Sequence, residues 1–279
     1  MSSKNILLVS GLLSFNSGKT SVALSIASSA IKEGIDTGVC KPVTALSAWY
    51  QYRCVLKSME LKKLVGEDIY RLHKAVNSSD KLEIESPLVF LHSPLDPERI
   101  DWNPSVYTAI GLSDLIVVYR MTDLEKTRHF MVIENVNRLT GVMREKIDML
   151  LNSLDPPPEK LEKFLLDDIL LQGRKIADEC VRYLAEKHDL LVVESYNNAS
   201  APTQESLNAN RVVVVAPGKI AVYEGKKYKK ALFAISDIKE PWRITVDEVV
   251  SLLKPEMVIE TPPSPDGRVI LSLRDILEI

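Results

Sequence analysis

Ser17-Gly18-Lys19-Thr20 stands between an apolar run, Ile6-Leu7-Leu8-Val9, and a small-residue stretch with helical spacing, Ser21-Val22-Ala23-Leu24-Ser25-Ile26-Ala27. Strand, loop, Gly-Lys-Thr and helix in that order make an anion site, because backbone N–H groups and the positive end of the helix face whatever lies over the loop. Asn16, Ser17, Gly18, Lys19, Thr20 and Ser21 are the expected phosphate contacts. Lys19 is expected to reach the β and γ phosphates of a nucleotide, and the Thr20 hydroxyl to help hold Mg²⁺. The textual pattern is incomplete. It wants a glycine five places before Gly18, where this chain has Leu13; the nearest glycine is Gly11.

Three more charged residues fall where such a loop would use them. Lys41, in Val39-Cys40-Lys41-Pro42-Val43, ends a short strand-like segment and would bring a second positive charge to a transferring phosphoryl group. The same lysine also reads as a strand end pointing to solvent. Leu190-Leu191-Val192-Val193-Glu194 is a buried-strand pattern closed by a carboxylate, the placement of an acid that ligates Mg²⁺ at a strand tip. Asp68 opens a helical stretch. It is either a second metal ligand or an acid favoured by the helix dipole. The small polar residues after Glu194, including Ser195 and Asn197, suit a loop facing substrate.

The elements that position these groups follow from the apolar pattern. Continuous runs at 5–10, 190–194, 211–216, 231–236 and 257–260 read as buried parallel strands. Helical patterns at 19–33, 55–64, 67–75, 167–188 and 245–253 alternate with them. The expected fold is α/β: a doubly wound, mainly parallel sheet with helices on both faces, in one domain over 1–279. Residues 115–120 and 128–134 read as a β-hairpin, and about 100–162 as an insertion.

The 279 residues carry a formal net charge of −3, with 46% hydrophobic and 26% charged residues. This gives no case for nucleic-acid binding through bulk charge. No stretch is apolar enough to span a bilayer, so a cytoplasmic protein without a membrane partner is expected. Cys40, Cys54 and Cys180 are too scattered for a zinc site or a disulfide framework. The four histidines lack ligand spacing.

In order along the chain, Gly18-Lys19-Thr20, Lys41-Pro42-Val43, Asp68 at a helix start, Ser86-Pro87-Leu88 and Val192-Val193-Glu194 resemble dethiobiotin synthetase and its cobyric-acid-synthase-like relatives. The resemblance covers about 1–99 and 165–265. It implies a P-loop NTPase fold, ATP and Mg²⁺, a small-molecule substrate and a homodimer. It implies that Lys19 and Lys41 are catalytic, with Lys41 bridging a carbamate and the γ phosphate, and that Thr20, Asp68 and Glu194 surround the metal. Thr44 and Ser47 would touch substrate, and Thr261, Pro262 and Pro263 would pack on the nucleotide base. The chain departs from the family in its longer phosphate loop, in the absence of glycine from Ser195-Tyr196-Asn197-Asn198, and in the hairpin. The expectation is therefore MgATP-dependent ligation or phosphoryl transfer on an unnamed small acceptor. The alternatives are an ATPase switch that regulates a protein partner, and a small-molecule kinase.

Overall fold

The computed structural model describes residues 5–236, 243–261 and 276. In chain order, the first half forms β1 (Ile6–Gly11), α1 (Lys19–Lys32), β2 (Thr37–Cys40), β3 (Val43–Ser47), α2 (Tyr52–Leu61), α3 (Glu67–Ala75), α4 (Leu82–Glu85), β4 (Leu88–His92), α5 (Pro104–Ala109), β5 (Ile116–Thr122) and β6 (Thr127–Val132). The second half forms α6 (Ile133–Val136), α7 (Gly141–Ser153), β7 (Glu159–Leu161), α8 (Leu166–Lys187), β8 (Leu190–Glu194), β9 (Arg211–Ala216), β10 (Lys219–Glu224), α9 (Gly225–Ser236), α10 (Val246–Val250) and β11 (Met257–Glu260). The described residues fall into two compact units, one within Met1–Pro42, Asp68–Glu85 and Ala177–Ile279, the other within Val43–Glu67 and Ser86–Ile176.

The first unit holds a six-stranded sheet in the order β11-β10-β9-β1-β8-β2. Strands β9, β1, β8 and β2 run parallel; β10 is antiparallel to both β9 and β11. The parallel strands are the Val- and Leu-rich runs, buried along nearly their whole length, as strands covered on both faces must be. Helix α1 packs on β1, β2 and β8 through Val22, Ala23, Ile26, Ala27 and Ala30, a stripe at helical spacing. It stops at Gly34, whose φ of +81° lets Gly34 N and Ile35 N turn back onto Ile31 O and Ala30 O, each at 3.0 Å. This pair of hydrogen bonds closes a helix at a left-handed residue.

The sheets are mixed, which corrects the expectation of one doubly wound, mainly parallel sheet. After β9 the chain turns at Pro217-Gly218, with φ +81° at the glycine, and two residues cannot carry a crossover helix. The following strand must therefore return antiparallel. The run at 231–236, expected as a strand, is the last half of α9. Ala231 and Leu232 are buried while Phe233 is 48% exposed, a helical stripe rather than a buried strand.

The second unit holds a five-stranded sheet, β3-β4-β5-β6-β7, parallel at its two ends and antiparallel between. The expected hairpin forms as β5 and β6. Strands β3 and β4, which precede the expected insertion, belong to the same sheet. Register places Phe90 opposite Tyr119 and Tyr119 opposite Phe130. Their rings stack at centroid distances of 4.6 and 5.9 Å, cross-strand contacts that stabilise a sheet. Helices α2 and α7 pack together and share a core with Leu46, Val89, Leu91, Val117 and Val118. His129 is buried there. Its Nδ1 lies 2.9 Å from Pro156 O and its Nε2 accepts from Leu64 N. Burial pushes its pKa down to about 4, so the ring is neutral at pH 7.

In the first unit, Asp80 ties α8 to the loop before α4. It accepts from Lys187 Nζ and lies 2.7 Å from His188 Nε2. His188 also meets Asp36, and a side chain at Gly38 would collide with its ring. Burial works to raise the Asp80 pKa, but Lys187 and His188 hold it below the usual aspartate value. A depressed carboxyl adds stability above its unfolded pKa and loses it as pH falls through the folded value. Asp80→Asn is expected to cost about 2 kcal/mol at pH 7, less than a wholly buried pair because Lys187 is partly exposed. That cost shrinks below about pH 3.9, where the wild-type carboxyl also takes a proton. Urea unfolding at several pH values checks this, and an equal loss at every pH contradicts it.

Candidate phosphate and metal site

Strand register brings the charged residues of the first unit together. Val9 pairs with Glu194, and Cys40 pairs with Val193. Lys41, one residue beyond β2, therefore comes level with Glu194 at the tip of β8. On the other side of β1, Gly11 stands opposite Val215 of β9. The four parallel strands end on the same side, where α/β sheets gather their functional loops.

Two glycines shape the loop from β1 to α1, for different reasons. A methyl group on Gly11 would collide with Ser17 Oγ and lie 2.8 Å from Lys19 Nζ. The bare backbone at Gly11 thus lets Lys19 fold back across the strand end, where Nζ donates to Ser17 Oγ at 3.2 Å. Gly18 has φ +94°, and a side chain there would meet only Val215 Cγ1 at 3.6 Å. Its requirement is conformational, not spatial. Gly18 also starts α1 with no side-chain cap, and the first helical bond is Val22 N to Gly18 O. The first turn is thus uncapped by any side chain, which favours an anion. Asn16 takes φ +56°, a conformation asparagine tolerates. Ser21 is half-buried in the first turn.

At the centre of the cluster is one carboxylate oxygen. Glu194 Oε1 accepts from Thr20 Oγ1 at 2.9 Å and from Lys41 Nζ at 2.7 Å. Lys41 Nζ also meets Asp68 Oδ2 at 2.5 Å. Glu194 is wholly buried, and its Oε2 has no hydrogen-bond partner among the described residues. Burial pulls the Lys41 pKa down, but the Glu194 and Asp68 carboxylates outweigh it and hold the ammonium above its ordinary value. Burial raises Glu194 against the pull of Lys41. Asp68 is held low by Lys41 despite burial. Lys19, buried beside a second lysine, is lowered chiefly by desolvation.

Behind the cluster lies Glu85, which the sequence reading missed. Lys41 N donates to Glu85 O at 2.8 Å, and the fully buried Glu85 carboxyl lies 2.7 Å from His73 Nδ1. Burial pushes the Glu85 pKa up to about 8. His73 sits on α3, the helix whose first turn carries Asp68. Gly11 was also discounted in the sequence because it stands two places too early. A glycine closing an apolar strand just before Gly-Lys-Thr was the available signal.

The other expected contacts are placed as follows. Ser195 is buried and donates its hydroxyl to Ala199 O at 2.8 Å, so it shapes the loop after β8. Asn197 takes φ +45° in that loop, and Asn198 Oδ1 accepts from Ser14 Oγ of the loop between β1 and α1 at 3.1 Å. Thr261 N donates to Gly218 O at 3.0 Å. With three strand spacings from β11 to β1, it stands about 14 Å along the sheet end from the loop that follows β1. Pro262 and Pro263 lie outside the described residues. Thr44 and Ser47 belong to the second unit: Thr44 Oγ1 is 3.1 Å from Ser86 Oγ, and Ser47 Oγ accepts from Tyr50 N at 3.2 Å.

Among the described residues, no three or more His, Cys, Asp or Glu side chains gather as a closed metal cage. Two carboxylates and the Thr20 hydroxyl, with Oε2 unused, suit instead an open site completed by phosphate oxygens and water, the way Mg²⁺ is held beside nucleotides. A cleft of about 930 Å³, lined by Ile6, Leu190, Asn210 and Arg211, opens at the opposite, amino end of the strands. It takes no part in this cluster.

The two glycines make separable predictions. Gly18→Ala is expected to destabilise the chain by about 1–2 kcal/mol through its left-handed backbone, with Gly18→Asn recovering most of that. At Gly11, alanine destabilises by collision, and asparagine is worse still. Chemical unfolding of the four variants decides; rescue by asparagine at Gly11 would remove the steric account. Compared with family models and with curated proteins, the chain matches none, so the chemistry of this site has to be read from its own residues.

Proposed function

We propose that the first unit is the nucleotide-binding core of a P-loop NTPase resembling dethiobiotin synthetase. It binds MgATP and drives ATP-dependent ligation or phosphoryl transfer to a small carboxylate or carbamate acceptor. The observation that carries this reading is the convergence of Thr20, Lys41 and Asp68 on the buried tip of β8, beside a glycine-shaped loop that opens an uncapped helix. An ordinary strand-to-helix turn has no reason to bury two lysines and a carboxylate at one sheet end.

In this reading the backbone over 16–21 and the start of α1 cradle the phosphates, and Lys19 meets the outermost ones. Thr20, Glu194 and Asp68 hold Mg²⁺, which when bound neutralises phosphate charge. Lys41 supplies positive charge for the negative charge that builds between acceptor and phosphoryl group. The loop before α1 and Thr261 mark the two ends of the nucleotide. Asn197, in the loop after β8, stands as a candidate substrate contact, and a homodimer rests on the resemblance alone.

A second reading, an ATPase switch that regulates a protein partner, is favoured by one observation. Phe15 and Leu13 in the phosphate loop are 75% and 45% exposed, and apolar side chains held in solvent beside a nucleotide loop suit a partner that senses its state. A small-molecule kinase differs from the first reading only in its acceptor.

Calorimetry of ATP binding with Mg²⁺ tests the shared part. Lys19→Ala is expected to weaken binding about 100-fold, the loss of one strong charge-assisted contact. Unchanged affinity sinks the nucleotide reading. Lys41→Ala is expected to keep nucleotide affinity within about ten-fold while abolishing turnover. Turnover that ignores small carboxylates and amines but rises with a protein partner selects the switch.

A further inference from the structure

Lys41 stands where a metal would. Its ammonium lies 2.5 Å from Asp68 Oδ2 and 2.7 Å from Glu194 Oε1, and Thr20 Oγ1 is bonded to that same Glu194 oxygen. All three groups assigned to Mg²⁺ are thus already engaged with one another or with this lysine. The remaining oxygen, Glu194 Oε2, is buried and has no hydrogen-bond partner among the described residues, an acceptor left unused. We propose that Lys41 is a tethered cation that keeps divalent metal off Thr20, Asp68 and Glu194 until nucleotide phosphates arrive. Metal then enters only together with nucleotide. The inference rests on reading this cluster as a metal and phosphate site.

The charge balance makes the case. Lys19, Lys41, Asp68 and Glu194 sum to zero when the lysines and carboxylates are ionised, which is the arrangement a buried cluster tolerates. A lone Mg²⁺ would leave two uncompensated positive charges. An ion at the usual distance of about 2.1 Å from Glu194 Oε1 would also lie no farther than about 4.8 Å from Lys41 Nζ. Like charges that close in a wholly buried pocket repel strongly. A triphosphate reverses the balance, since it brings several negative charges with its metal. It also gives the Lys41 ammonium new oxygen partners, so the long side chain can leave the carboxylates without losing its counter-charge. The same residue thereby serves two states: it neutralises the ligand-free cluster and is delivered to the phosphates when metal replaces it.

The test measures Mn²⁺ alone, with no nucleotide, on the full chain. Bound metal is read from the loss of the free-Mn²⁺ electron paramagnetic resonance signal, and thermal unfolding is followed in the same samples. Wild type is expected to bind Mn²⁺ weakly and to show no rise in unfolding midpoint. Lys41→Met should bind at least about ten-fold more tightly, with a midpoint that rises on adding Mn²⁺. Lys41→Arg, which keeps the cation, should behave as wild type. Lys41→Met combined with Glu194→Gln should lose the gain. If the methionine variant does not fold, Lys41→Gln, a neutral side chain that still donates to the carboxylates, takes its place. Tight Mn²⁺ binding by wild type overturns the proposal, whatever the variants do. So does a folded neutral variant with no gain, or a gain that survives the loss of Glu194. None of these outcomes touches nucleotide binding, which fails or stands on the Lys19→Ala measurement.

Discussion

A carboxylate sealed at the end of a parallel strand is the constraint from which the first unit is best understood. Glu194 has no solvent to hydrate it, so it persists only with positive charge and donors in contact. Lys41 meets that requirement because β2 pairs with β8 in fixed register, and Thr20 because the loop after β1, the other neighbour of β8, delivers the first turn of α1 to the same sheet end. The Val- and Leu-rich strands do more than fill a core here. They set, to within a fraction of a strand residue, which charges can meet at the sheet end.

The same logic explains why the loop from β1 to α1 does not need the usual glycine spacing. Its tasks are to let the backbone turn left-handed before the helix and to leave room for Lys19 over the strand end. Gly18 performs the first and Gly11 the second. With these two functions met by space and backbone sign, Leu13 is free to be leucine. A spacing rule written as text encodes one loop length, whereas the physical requirement concerns where a missing side chain is needed.

Much of this arrangement was legible in the residues, and the failures have physical causes. Strands β1, β8 and β9 were readable because long Ile, Leu and Val runs bounded by polar turns have few alternatives. Lys19, Thr20, Lys41, Asp68 and Glu194 were readable because each lies at the end of an element that the pattern defines. Strand direction and edge position were not readable: Met257–Glu260, expected as a buried parallel strand, lies half exposed at the sheet edge and pairs antiparallel with β10, and Lys219–Glu224 was not expected as a strand at all. The apolar run in α9 was misassigned because six consecutive residues fit a buried strand and a helix turn equally well, and only the lysines before it tip the balance. Glu85 was invisible because its importance comes from a tertiary contact 44 residues from Lys41, with no local signature.

Glu85 serves Lys41 through its carbonyl and His73 through its side chain, while His73 shares a nine-residue helix with Asp68. The lysine and one of its two carboxylate partners are therefore mounted on a common anchor. The geometry of the cluster thus depends on one peptide carbonyl and one buried carboxyl of a residue that lies outside it.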